Sequence, residues 1–152
     1  MTVLREEPLD GPAGQALIDA FFEEIVPLYP SITPENPGPS ASPDELSPPS
    51  GAFLVAYVDA QPVGCGGIKR LTDEVAELKR LYVAPSARKH GVARTLITAL
   101  EEAARHAGYR VVRLDTGDQQ PAALQLFRAA GYRAIDDYNG NPHASYWFEK
   151  AL

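Results

Sequence analysis

Glu77-Leu78-Lys79-Arg80-Leu81-Tyr82-Val83, followed by Ala84-Pro85-Ser86-Ala87 and then Arg88-Lys89-His90-Gly91-Val92-Ala93-Arg94, reads as a strand, a turn and the first turn of a helix. The strand is rich in apolar and aromatic residues, but its alternation is imperfect: strict period two puts Leu78 and Leu81 on opposite faces. Both faces of such a strand are expected to be covered. Beyond it, Val92, Leu96, Ile97, Leu100, Ala103 and Ala104 fall on one helical face, and Gly108 is placed to end the helix. The junction leaves the N–H groups of residues 88 to 94 without intrahelical acceptors, and such donors attract an anion. Gly91 allows close backbone approach, Ala93 keeps the next turn small, and Arg88, Lys89 and Arg94 bring positive charge. A diphosphate would satisfy all three features. Taken alone, the loop is equally readable as a plain helix start with solvated basic residues. It matches neither the Walker A pattern nor the Gly-x-Gly-x-x-Gly fingerprint.

Working outward, residues 12 to 26 carry Leu17, Ile18, Phe21, Phe22, Ile25 and Val26 at helical spacing after Pro12. Pro27 closes that helix. Eight of the 14 prolines lie between Pro27 and Pro49, so residues 27–50 are expected to form an extended loop, with a disordered insert and a wall or lid over a substrate cleft as its two readings. Residues 53–58 and 63–69 form a strand pair around a turn at Asp59-Ala60-Gln61-Pro62. Val111 to Asp115 is a strand, Pro121 to Ala130 a helix stopped by Gly131, and Ser145 to Phe148 a last strand. This order predicts an α+β, or mixed α/β, domain around a central sheet.

The chain has 152 residues, 45% of them hydrophobic, enough for one compact domain over 1–152. A net charge of -6 argues against nucleic-acid and anionic-membrane partners. Cys65 is the single cysteine, set in Val63-Gly64-Cys65-Gly66-Gly67 with no basic neighbour, and reads as structural. No paired His or Cys stands at ligand spacing, so no built-in metal site is expected. No bilayer-length apolar run or leader-like start is seen, and a cytoplasmic location is the expectation.

The loop Arg88-Lys89-His90-Gly91-Val92-Ala93, the strand leading into it, and Pro121-Ala122-Ala123-Leu124-Gln125-Leu126-Phe127-Arg128-Ala129-Ala130-Gly131-Tyr132 together resemble the GNAT superfamily of acyl-CoA-dependent N-acetyltransferases. The resemblance covers about 52 to 149 well and the first helix loosely. It implies a mostly antiparallel sheet with two splayed parallel central strands flanked by helices, acetyl-CoA as co-substrate, and a small-molecule amine or amino-acid-like acceptor. It further implies that Leu81 and Val83 offer backbone hydrogen bonds to the pantetheine, with the Leu81 N–H near the thioester oxygen. Arg88, Lys89, His90, Gly91, Val92, Ala93 and Arg94 would surround the pyrophosphate. Gln120 stands where relatives often carry an Asn against the cofactor. Homodimers occur in the family, and nothing in the sequence fixes an interface.

An alkylammonium with a pKa near ~10 is protonated at neutral pH and has no lone pair to offer, so acyl transfer to it needs a base. Glu77 matches the family position for that base; its other reading is a solvated strand-end carboxylate. Asp115 and Asp118 are weaker candidates for contact with the substrate ammonium. Many relatives carry a Tyr as general acid in the second helix, where this chain has Phe127. Phe127 can pack against the cofactor but cannot donate a proton, leaving Tyr82, Tyr132, Tyr138 or water to protonate the thiolate. That departure keeps open a second reading, a non-catalytic acyl-CoA-binding module. On the acceptor side, Tyr29, Tyr138 and Trp147 would shape a pocket with the proline-rich loop, Asp136 and Asp137 would suit a cationic acceptor, and His143 reads as a loop hydrogen-bonder.

Overall fold

The computed structural model describes all residues 1–152. Its elements are β1 (Thr2–Glu6), α1 (Pro12–Ile25), β2 (Ala52–Val58), β3 (Gln61–Arg70), β4 (Val75–Val83), a 3-10 turn (Pro85–Ala87), α2 (Val92–His106), β5 (Val111–Thr116), α3 (Pro121–Ala129), β6 (Arg133–Ile135) and β7 (Tyr146–Ala151). One seven-stranded sheet runs in the order β1-β2-β3-β4-β5-β7-β6. Every neighbouring pair is antiparallel except β4 and β5. This is the α+β architecture expected from the sequence, with two strands more: β1 and β6 carry no clear strand pattern of their own and exist through pairing with β2 and β7.

Strand alternation sorts the sheet into two faces. Ala52, Leu54, Ile68, Ala76, Leu78, Val112 and Leu114 pack with Leu96, Ile97 and Leu100 of α2 and Phe127 of α3. Phe53, Val55, Cys65 and Tyr82 pack on the other side with Leu17 and Ile18 of α1 and with Leu46 from the proline-rich segment. Gly64 and Gly66 let α2 lie close, since a Cβ on Gly66 would stand 3.0 Å from a Leu100 methyl. Helices α2 and α3 both end as the sequence suggests. Gly108 and Gly131 have φ of 96° and 94°, and Tyr109 and Tyr132 donate back to Ala104 and Phe127.

Leu78 and Leu81 do not lie on opposite faces. The β3–β4 register slips between Cys65 and Gly67, and Arg80 takes a left-handed φ of 59°. One extra residue in β4 is a β-bulge, and it returns Leu81 to the α2 side beside Leu78. The imperfect alternation is the trace of that bulge. The left-handed backbone costs a residue with a Cβ roughly 1–2 kcal/mol.

The proline-rich segment is anchored to the sheet around Leu46 and Glu45. Leu46 is 1% exposed. Glu45 accepts from the Ser42 N–H at 3.0 Å, the Glu45 N–H donates to Ser42 Oγ at 3.2 Å, and Lys69 reaches Glu45 from β3 at 3.0 Å.

Candidate active site

Strands β4 and β5 pair through only three positions, Val75 with Val111, Ala76 with Val112 and Glu77 with Arg113. Beyond Glu77 they part, and a groove of about 550 Å³ opens along Leu81, Tyr82 and Val83 toward the start of α2 and across to Gln119, Gln120 and Ala123. The loop at its far end is built by two left-handed residues, Lys89 at φ 68° and Gly91 at φ 78°. Gly91 caps α2 with no side-chain hydrogen bond. The N–H groups from Lys89 to Arg94 donate to no backbone carbonyl, and the first helical bond is from Thr95 to Gly91.

Arg88 departs from the expected set. Its N–H closes the 3-10 turn on Pro85 at 3.3 Å, so the free donors begin at Lys89. Its guanidinium is held by Glu24 of α1 at 2.6 and 2.8 Å and donates through Nε to the Val83 carbonyl at 2.9 Å. The Val83 oxygen is therefore already engaged, while Lys89, His90 and Arg94 are exposed around the loop.

A second cavity, about 160 Å³, lies on the α1 side of the gap and shares Phe21, Leu81, Gln120 and Ala123 with the groove. Its polar wall holds Lys79, Arg80, Asp115, Asn141 and His143, and its apolar wall includes Phe22, Ile25, Tyr29 and Phe127. Ile32, Pro37 and Pro39 of the proline-rich segment close one side. Tyr29 donates to Gln120 Oε1 at 3.1 Å and accepts the Gln119 N–H at 3.1 Å, tying the turn after α1 to the α3 start. His143 bridges Ser31 Oγ and the Asn36 carbonyl, each at 2.8 Å, and so joins two loops.

Glu77 is 2% exposed, which excludes the solvated strand-end reading. Tyr138 donates to its Oε2 at 2.6 Å, Asn139 Nδ2 lies 3.2 Å from the same oxygen, and Lys79 Nζ is 3.9 Å from Oε1. Burial pulls the Lys79 pKa down against the opposing pull of Glu77 and Asp115, and burial beside Glu77 pushes the Tyr138 hydroxyl up. Asn139 also donates to Asp115 at 2.6 Å and accepts from Trp147 Nε1 at 3.0 Å. Tyr138 thus covers Glu77 while Trp147 holds Asn139, and neither lines the cavity. Asp136 and Asp137 are exposed, and Asp137 caps its own turn through the Asn139 and Gly140 N–H groups. Asp118 is exposed as well.

Of the hydroxyls weighed as proton donors, Tyr82 lines the groove, Tyr138 is held by Glu77, and Tyr132 points into the core to Glu101 at 2.9 Å. Phe127 packs edge-on to Tyr132, is 5% exposed and lines the cavity. Burial pushes the Cys65 thiol up to about 12, so it remains a thiol with no nucleophilic character near neutral pH.

Sequence reasoning did not single out Arg80, Lys79 or Asn139. The broken alternation of β4 was the available signal for Arg80; Asn139 has none, since its role depends on partners 62 and 24 residues away.

Two parallel strands that part above a helix start with free amides form a slot for a flexible chain ending in a diphosphate, the architecture of an acyl-CoA-dependent transferase. Comparison with known proteins agrees. The acetyltransferase (GNAT) family model matches residues 18–132. An IAA acetyltransferase of Azospirillum brasilense is 33% identical over all of this chain and 98% of its own length. Among solved structures, a GNAT-family acetyltransferase from Staphylococcus aureus superposes with a TM-score of 0.81 at 16% identity, covering 100% of this chain and 99% of that one. The PaiA N-acetyltransferase of Thermoplasma acidophilum, in complex with coenzyme A, gives 0.75 at 18% identity over 100% and 99%. The chain belongs to the GNAT family of acetyltransferases.

Proposed function

We propose that this acyltransferase moves an acetyl group from acetyl-CoA directly to the amine of a small-molecule acceptor, with Glu77 as the base. The observation that carries the reading is the divergence of β4 and β5 after Glu77 and Arg113, which joins a long groove to a small cavity with one charged wall at Leu81. Acetyl-CoA fits the groove with its diphosphate on the Lys89 to Arg94 amides and its thioester beside Leu81. The coenzyme A complex of the Thermoplasma relative supports this choice of co-substrate. The acceptor then occupies the cavity, and its lone pair attacks the thioester carbon while the Leu81 N–H faces the developing oxyanion.

The ammonium must lose its proton before or during attack. Asp115 faces the cavity and is positioned to orient the ammonium. Glu77 lies one layer behind, linked to Asp115 through Asn139 and sealed by Tyr138. Its role as base therefore requires the 136–141 loop to admit the amine or a water. The departing thiolate has an intrinsic pKa of ~8.5 and needs little assistance, which suits a site with Phe127 in place of a hydroxyl.

Thiol release from acetyl-CoA against a panel of amines tests the transfer. Glu77→Gln keeps an acceptor for Tyr138 and Asn139, and is expected to lose roughly 10²–10⁴ in kcat/KM near neutral pH. The deficit should narrow as pH rises and the amine deprotonates unaided. Parent and variant rates that coincide across the pH range remove Glu77 from the role, and coenzyme A binding without any thiol release removes the transfer itself.

A further inference from the structure

Arg80 is placed by the extra residue of β4, at a backbone φ of 59°, and it lines the acceptor cavity. Its guanidinium carbon is 5.1 Å from the centre of the Phe22 ring. Other interior cations are matched: Lys69 with Glu45 at 3.0 Å, Lys79 with Glu77 at 3.9 Å, Arg113 with Glu149 at 3.1 Å and Lys150 with Glu101 at 3.0 Å. Arg80 forms no ion pair, and its guanidinium makes no hydrogen bond within the chain. No fully buried side-chain nitrogen or oxygen lacks a partner, so the free guanidinium nitrogens keep some solvent access, and Arg80 is one of the residues lining the cavity. Asp115 and Glu77 act on Arg80 only from a distance, while burial works against its charge.

We propose that Arg80 receives a carboxylate carried by the acceptor, which makes the substrate an amino acid or another amine with a carboxylate a few bonds from its nitrogen. The inference rests on the acetyltransferase reading above. A planar guanidinium matches a carboxylate through two parallel hydrogen bonds, and the Phe22 ring packs against it from one side. Arg80 directly precedes Leu81, so an amine attacking beside Leu81 can hold its own carboxylate one residue back. Asp115 stands on the same cavity with the opposite charge. The two signs suit a zwitterion, and Phe21, Ile25 and Ile32 leave an apolar wall for its side chain. An amine without a carboxylate would put an ammonium into a cavity whose guanidinium remains uncompensated, which disfavours it.

The test uses matched triplets: an α-amino acid, its carboxamide and its decarboxylated amine, for several side chains, with acetyl-CoA and the full chain. For at least one side chain, kcat/KM for the amino acid is expected to exceed that for the carboxamide by tenfold or more, mainly through KM. Arg80→Asn suits the left-handed backbone and removes the charge, and it should lower that ratio at least tenfold; Arg80→Lys should retain part of it. Calorimetry with coenzyme A checks that each variant is folded. Equal use of the triplet by the parent, or a ratio unchanged in Arg80→Asn, overturns the inference and leaves the transferase reading intact. The coenzyme A-loaded protein is titrated with the same compounds. Arg80-dependent binding of the amino acids without turnover would keep the carboxylate site and remove the transferase reading, whereas neither binding nor turnover removes both.

Discussion

Tyr138 donates its hydroxyl to Glu77 at 2.6 Å, joining the loop before β7 to the last residue of β4 that pairs with β5. Burial beside that carboxylate pushes the phenol pKa up, so Tyr138 stays a neutral donor through the whole physiological range. Tyr138→Phe leaves Glu77 buried with Asn139 at 3.2 Å as its one remaining hydrogen bond. Loss of a partner from a buried charged group costs about 1–3 kcal/mol. At this chain length that lowers Tm by roughly 2–4 °C for each kcal/mol. Thermal melting of Tyr138→Phe measures that loss. A Tyr138→Phe protein as stable as its parent would show that the bond is not formed in solution.

Gly91 caps α2 at φ 78°, and a Cβ there would meet nothing within 4 Å. The cost of Gly91→Ala is thus conformational, on the order of 1 kcal/mol, and not steric within the protein. A ligand lying on the loop would meet the new methyl group. Gly91→Ala is expected to raise KM for acetyl-CoA severalfold while changing KM for acetyl-pantetheine, which lacks the diphosphate, by much less. Equal changes for both would place the diphosphate elsewhere.

Much of this site was readable from one stretch of sequence and much was not, for a physical reason. Residues 77–94 are local: strand, turn and helix start follow from side-chain period and from a glycine at the cap, so a loop with free amides is visible in the chain. Arg88 shows the limit, because its guanidinium is committed to Glu24, 64 residues earlier, and no local pattern announces that. The β4 bulge was encoded in the unequal placing of Leu78 and Leu81, yet reading it requires knowing that both face α2. The enclosure of Glu77 depends on Tyr138 and Asn139, brought from beyond α3 by β7 packing between β5 and β6.

Glu45 ties the proline-rich segment to β3, and the Ser42 N–H together with Lys69 holds its carboxyl well below the usual range, at about 2. A depressed carboxylate pKa contributes stability that is complete above the unfolded value of 4.5 and fades as pH falls from 4.5 toward about 2. The side chain is 37% exposed, so solvent screens much of the effect. Glu45→Gln should lower amide protection in residues 40–47 near neutral pH, and its difference from the parent should shrink steadily below pH 4.5. A difference that is constant with pH would mean that packing of Leu46, not the charge, holds the segment.

Tyr29 lies directly against Gly117, and a Cβ on Gly117 would stand 2.3 Å from Tyr29 Cε1 and 2.4 Å from its hydroxyl. No side chain can be added there without driving Tyr29 from the cavity wall, which also breaks its bonds to Gln119 and Gln120. Gly117→Ala is therefore expected to cost about 1–3 kcal/mol by overpacking and to raise KM for the acceptor. Tyr29→Ala alone should destabilise by opening a void. In the double variant the new methyl enters the space the ring has left, so the combined loss should be smaller than the sum by 0.5 kcal/mol or more, the scale of coupling between touching residues. Chemical denaturation of the two single variants and the double variant measures that coupling. Strict additivity would mean that the ring does not rest on Gly117, and the cavity beside Leu81 would then have a different wall.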